Sequence, residues 1–205
     1  MFAIRKPLSG ANCSPSEVDV ESKILRGLQE DHANQVQLLG LIEAEIEKLD
    51  TGDMLPDFEL LALAFEYCND YPGRYHHPKE DLMFRKLLQR DPAIGNRAVA
   101  LTEEHETLSQ LTNELAMAIA GAIEGESCEK LRDVAARFVQ EYRHHIGIEE
   151  AEVFPRARHA LTDDDWREIE DAYEEISDPV FGEHTRHAYL ALHHRILERA
   201  NEGRC

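Results

Sequence analysis

Tyr75-His76-His77-Pro78-Lys79-Glu80-Asp81 and His144-His145-Ile146-Gly147-Ile148-Glu149-Glu150 each set a glutamate four residues after a histidine. Residues at that spacing lie on one face of an α-helix, one turn apart, so each run can aim an imidazole and a carboxylate at a common centre. The fold turns on whether both runs sit on the apolar seams of neighbouring helices.

Their surroundings place them there. The second helix starts near Pro56 with Leu61, Phe65 and Cys68 on one face, and Tyr71-Pro72-Gly73 should kink or restart it. The face resumes as His76, Glu80, Met83 and Leu87, and Asp91-Pro92 ends it. Before it, Leu25, Leu28, His32, Leu39, Ile42, Ile46 and Leu49 recur mostly three and four apart, up to the turn Asp50-Thr51-Gly52-Asp53. After it, a third helix carries Leu101, His105, Leu108, Leu111, Leu115 and Ile119 and stops at Gly125. A fourth follows a Ser127 cap with Leu131, Val134, Phe138, Tyr142, His145, Glu149 and Val153. Thr162-Asp163-Asp164-Asp165-Trp166 opens a fifth helix to about Ile176, Asp178 to Gly182 makes a turn, and a last helix spans about His184 to Ala200. No strand-like alternation of any length occurs, so the expected fold class is all-α.

Each of the four long helices thus carries a histidine on an apolar seam: His32, His76, His105 and His145. In an antiparallel hairpin, residues equally far from the connecting turn lie at one level. With turns near residues 54, 92 and 125 and the helical rise of ~1.5 Å per residue, His32 and the His76/Glu80 midpoint lie about 22 and 24 residues from the first turn. That midpoint and His105 lie about 14 and 13 from the second, and His105 and the His145/Glu149 midpoint about 20 and 22 from the third. All four helices deliver their polar groups to one layer. A single histidine on an apolar face is ordinarily a satisfied core residue, and one His-x-x-x-Glu pair is ordinarily solvated. Six ionisable groups buried at one level are different, because buried carboxylates repel and lose their hydration. A metal cation removes that penalty, and imidazole with carboxylate suits iron, manganese or zinc.

Composition narrows the partners. Acidic residues outnumber basic ones 41 to 22, for a formal net charge of −19 over 205 residues. Such a surface repels nucleic acid and anionic lipid, so neither is an expected partner. No apolar run approaches the ~20 residues that span a bilayer, and the N-terminal stretch lacks the apolar core of a secretory signal. Cys13, Cys68, Cys128 and Cys205 show no Cys-x-x-Cys spacing, which reads as a reduced, cytoplasmic protein. Cys68 reads as a packing residue, and the C-terminal His184, His187, His193 and His194 as surface or packing residues.

The run from Tyr75 to Asp81 resembles the HHPKED motif of the hemerythrin-like HHE cation-binding family, bacterial type. His145 to Glu150 with Phe154-Pro155 resembles its second motif, and Asp31-His32 and Glu104-His105 match its two single-histidine positions. The resemblance covers roughly residues 18 to 160. It implies an antiparallel up-down-up-down four-helix bundle over 16–160; residues 1–15, with Pro, Gly, Ser and Asn and no periodicity, read as a flexible tail, and 161–205 as a C-terminal extension of two further helices packed on the bundle. The resemblance also implies a non-haem centre of two iron ions, oxo- or hydroxo-bridged, held by His32, His76, Glu80, His105, His145 and Glu149, the two glutamates bridging. Oxygen-carrying members use five histidines, two of them four apart on the third helix. Here the positions four from His105 are Leu101 and Ser109, so that nitrogen is missing. Water, Tyr142 or Tyr71 can take its place. His77 and His144 fall off the seam, as residues supporting the ligands or on the surface, with His77 also a candidate additional ligand.

The function this implies is binding, sensing or reaction with a small ligand, O2, NO or H2O2, under redox stress. A peroxide- or NO-reactive, catalase- or peroxidase-like activity would draw on an electron donor. The alternatives are iron storage or donation, including iron–sulfur repair, and a structural metal site without turnover.

Overall fold

The computed structural model describes residues 20–51, 54–173 and 176–202; the expected tail, residues 1–15, lies outside them. The elements are α1 (Val20–Thr51), α2 (Phe58–Tyr71), α3 (His77–Arg90), α4 (Pro92–Ile123), α5 (Glu129–Ile148), α6 (Phe154–Ala160), α7 (Asp163–Ala172) and α8 (Leu190–Glu202). No strand occurs among the described residues, as the periodicity predicts.

Local chemistry sets the helix starts. The Asp57 carboxylate accepts the Leu60 amide at the head of α2, and Asp91 accepts the Ala93 amide ahead of Pro92 at the head of α4. At α5 the cap residue is Cys128 rather than Ser127, though the Ser127 hydroxyl still accepts the Glu129 amide at 3.3 Å. Thr162 and Asp165 form a reciprocal capping box at α7.

The chain crosses between two apolar clusters. One holds Leu38 to Ile46 of α1, Leu60 to Tyr71 of α2, Leu108 to Ile119 of α4 and Leu131 to Ile146 of α5. The other holds Ile24 to Leu28 of α1, Met83 to Leu87 of α3, Ala98 and Leu101 of α4, and Ile148 to Ala157 of α5 and α6. The change from one set to the other falls at residue 32, at 76 to 80, at 105 and at 145 to 149 on the four crossings. Helix α3 packs along α4, α4 along α5, α5 along α1 and α2 along α4.

Two of those crossings are not plain α-helix. Between α2 and α3, Pro72–His76 forms a π-helical turn, where His77 N–H reaches back five residues to the Pro72 carbonyl. Between α5 and α6, Glu149–Val153 forms another, closed by Phe154 N–H on the Glu149 carbonyl. The sequence predicts a kink or restart at Pro72 and an uninterrupted helix through Val153. Proline lacks the N–H for the ordinary ladder, and a wider turn absorbs the loss without breaking the helix. Each π turn inserts one extra residue. Buried positions therefore run 67/68, 71/72, then 76/77 after a step of five, and 148/149, then 153/154.

The C-terminal helices lie against the rest. Helix α7 packs on α1 and α3, where Arg90 pairs with Asp165 at 2.8 and 3.0 Å, and α8 packs on α1 and α2. Helix α7 ends at Ala172, earlier than the expected Ile176, and α8 starts at Leu190 after a short 3-10 turn, later than the expected His184. His193 explains part of the difference. Its Nδ1 lies 2.6 Å from the Val180 carbonyl and 3.0 Å from the Thr185 hydroxyl, holding the preceding loop in a non-helical path. No helix among the described residues is long and apolar enough to cross a membrane.

Candidate metal centre

His32 comes from α1, His76 from the last residue of the first π turn, Glu80 from α3, His105 from α4, His145 from α5 and Glu149 from the first residue of the second π turn. All six are buried, the two glutamates completely. Their arrangement repeats one motif four times. His32 Nδ1 meets Glu150 at 2.9 Å, His76 Nδ1 meets Asp31 at 3.0 Å, His105 Nδ1 meets Asp81 at 3.1 Å, and His145 Nδ1 meets Glu104 at 3.1 Å. A carboxylate on Nδ1 fixes that nitrogen as the protonated one, so the neutral ring turns its Nε2 lone pair the other way.

All four Nε2 atoms turn inward, onto the two buried carboxylates. Glu80 Oε1 lies 3.3 Å from His32 Nε2 and 3.2 Å from His76 Nε2, while Glu80 Oε2 lies 3.4 Å from His105 Nε2. Glu149 Oε1 lies 3.1 Å from His145 Nε2 and 3.7 Å from His105 Nε2, while Glu149 Oε2 lies 3.3 Å from His32 Nε2. Each carboxylate therefore spans two groups of rings, one oxygen to each. Apart from these ring nitrogens, none of the four oxygens has a hydrogen-bond partner. His105 Nε2 and His145 Nε2 also face each other at 3.0 Å. Converging lone pairs and otherwise partnerless buried carboxylate oxygens are costly unless a cation lies among them. The residues present therefore fit a metal, and two groups among the described residues can hold one: His32, His76 and Glu80, and His77, Glu80, His105 and His145.

Charge agrees with geometry. Glu80, Glu149, Asp31, Asp81, Glu104 and Glu150 bring six carboxylates around rings that are neutral when they ligate. Burial resists the ionisation of Glu80, yet without a cation, protons on the His76, His105 and His32 rings take the cation's place and hold the Glu80 carboxyl well below the usual range.

His77 is where the helical-seam reading misses. That reading puts it off the apolar face; instead it is buried, stacked on His105 with ring centres 4.2 Å apart and 6.0 Å from His145. The extra residue of the π turn rotates His76 and His77 together into the core. Burial and the neighbouring His105 and His76 push its pKa well below the ordinary value, so it presents a neutral ring. The step of five from Pro72 and the proline itself are the sequence signals for this. His144, the other neighbour, is exposed.

The tyrosines take different places. Tyr142 is buried with its hydroxyl 3.5 Å from His77 Nε2. Tyr71 donates to Asp31 Oδ1 at 3.3 Å and so stands behind His76 rather than beside the carboxylates. Cys68 is buried and its thiol pushed up to about 12 by that burial, which keeps it protonated. Among the described residues the C-terminal histidines join no metal-holding group.

The family model described as Hemerythrin HHE cation binding domain matches residues 23–157, a span that contains every residue of the layer. Nothing among curated proteins or solved structures matches the chain.

Proposed function

The chain belongs to the hemerythrin HHE cation-binding family, and from that membership we propose that it holds two non-haem iron ions and uses them to bind, sense or react with a small diatomic or peroxidic ligand. His32 and His76 would hold one iron and His105, His145 and His77 the other, with Glu80 and Glu149 bridging. The observation that carries this reading is the straddling of both carboxylates, one oxygen toward each group of rings, with no other partner for any of the four oxygens. We read the four crossings of the layer as an antiparallel up-down-up-down four-helix bundle, with residues 161–205 as an extension on its flank.

When bound, an iron pair supplies Lewis-acid and redox chemistry toward the ligand. The chain's own residues do the rest. The four carboxylates on Nδ1 orient the rings and raise their basicity. Phe154 stacks on His32 at 5.3 Å and covers that half of the layer. A cleft of about 440 Å³ lined by Gly73, Asp81, Thr102, His105, His77 and Ser109 opens the other half to solvent. Behind it a chamber of about 20 Å³ lies against His77, Cys68 and Tyr142, room for a molecule of water's size.

Metal analysis and absorption spectra of protein purified without added metal test this. Iron with a chromophore that changes on adding azide, NO or peroxide is the expected result. A colourless zinc protein would overturn it, and iron that passes readily to an acceptor would favour storage or donation.

A further inference from the structure

Three tyrosines, Tyr67, Tyr71 and Tyr75, follow one another at intervals of four, and they form a chain leading away from the metal layer. His76 Nδ1 meets Asp31 Oδ2 at 3.0 Å, and Asp31 Oδ1 accepts the Tyr71 hydroxyl at 3.3 Å. The Tyr71 ring stacks on Tyr67, centres 6.1 Å apart and planes 18° apart. Beyond Tyr67, Tyr189 stands edge-on at 6.3 Å, next to exposed residues at the head of α8. A second branch runs from Tyr71 to half-buried Tyr75 at 6.0 Å. Aromatic rings at such separations pass electrons readily.

Tyr67 and Tyr71 both donate to a carboxylate, and the Tyr67 bond is the shorter, 2.7 Å against 3.3 Å. Tyr67 is wholly buried, and its hydroxyl donates to Asp178 Oδ2. Asp178 Oδ1 is occupied by the Val180 and Phe181 amides at 2.7 and 2.9 Å, so the carboxylate is fixed in place. A buried phenol loses an electron only if its proton leaves too, because the protonated radical cation is a strong acid in a medium that solvates charge poorly. Asp178 is a base already in contact, and burial raises its own proton affinity above the ordinary carboxylate value. Tyr142 lies nearer the rings, but its hydroxyl faces His77, and no carboxylate is bonded to it among the described residues.

We propose that Tyr67 is a redox-active residue that relays electrons through Tyr71 to the metal centre, its phenolic proton passing to Asp178. This rests on the iron reading above. The oxidant is a peroxide, whose reduction to two waters takes two electrons and two protons. Tyr67 delivers the electrons one at a time. On each occasion its O–H bond breaks, the proton forms an O–H on Asp178, and a neutral phenoxyl radical remains. A small one-electron reductant of the ascorbate class, acting through Tyr189 or Tyr75, returns an electron to the radical, and the proton goes back from Asp178. The two protons consumed at the peroxide come from solvent.

The test is freeze-quench electron paramagnetic resonance on the iron-loaded full chain after hydrogen peroxide is added without reductant, alongside spin-trap mapping of modified peptides. The wild type should give a tyrosyl radical and a trap adduct on the peptide holding Tyr67 and Tyr71. Tyr67→Phe should lose at least 10-fold of the signal, Asp178→Asn should lower it several-fold, and iron content should stay unchanged in both. Added ascorbate should quench the wild-type radical. Iron-loaded protein that consumes peroxide with no tyrosyl signal, or with equal signal in Tyr67→Phe, overturns the relay alone. A chain that takes up no iron overturns the metal assignment and the relay with it.

Discussion

His76-His77 and His144-His145 are the same dipeptide in two arms that each place a glutamate four residues after a histidine, and the two are buried differently. In the first arm both rings are inside, His76 toward Glu80 and His32, His77 against His105. In the second only His145 is inside; His144 is exposed and Ile146 fills the neighbouring buried place. The difference is the position of the π turn. It precedes the ligands in the first arm, ending on His76, and so sets the phase in which they arrive. In the second it begins on Glu149, after His145 has been placed by ordinary α spacing. One inserted residue decides whether a histidine pair buries one ring or two.

The largest expected effect tests what the arms share. Replacing Glu149 or Glu80 with alanine removes a straddling carboxylate, and bound iron should fall from two per chain to one or none in either variant. Two irons retained in Glu149→Ala would break the bridging assignment. The next effect tests what separates the arms. His77→Ala removes one of the nitrogens proposed to hold the second iron and should weaken metal binding by at least about 10- to 100-fold, the loss already seen on removing groups that only support a metal site. His144→Ala should change it by less than about two-fold, as surface substitutions do. Equal effects in chelator competition would mean that the phase difference has no bearing on the metal.

A pH effect follows from His105. Burial alone would lower its pKa, but Asp81, Glu149 and Glu80 outweigh this, and without a cation it is pushed up to about 11. Raised above its unfolded value, that proton stabilises the metal-free fold fully below about pH 6.5, and the contribution is lost as the pH climbs toward 11. A cation must displace the proton, so metal affinity should rise between about pH 6 and about pH 8 with proton release on binding. Affinity that falls over this range would contradict it.

Two further effects, on folding rather than on metal binding, concern one glycine beside each arm. A Cβ on Gly95, in the first turn of α4, would lie 2.6 Å from the Leu88 Cα of α3, so Gly95→Ala should destabilise by about 1–3 kcal/mol. A Cβ on Gly147, inside the second motif, meets nothing within 4 Å, so Gly147→Ala should stabilise by about 0.5–1 kcal/mol. Thermal or urea unfolding separates the two signs.

Much of this is legible in the chain because helix seams are periodic. His105 and His145 lie on unbroken three-and-four spacings and His32 on one broken only between 32 and 39, and the all-helical character follows from the same regularity. The carboxylates behind the rings, Asp31, Asp81, Glu104 and Glu150, are adjacent in sequence to ligands, yet nothing in spacing alone shows that they turn back onto Nδ1. His77 is misplaced because α-helical arithmetic carries no extra residue past Pro72. Asp178 and Tyr67 are 111 residues apart and meet only through the loop that His193 braces, a tertiary contact that periodicity does not encode.

Anomalous diffraction at the iron edge from crystals of the iron-loaded protein tests the central claim most directly. The account predicts two peaks in the layer between Glu80 and Glu149, one flanked by His32 and His76, the other by His105, His145 and His77. A single peak, or two peaks not bridged by those carboxylates, would contradict it.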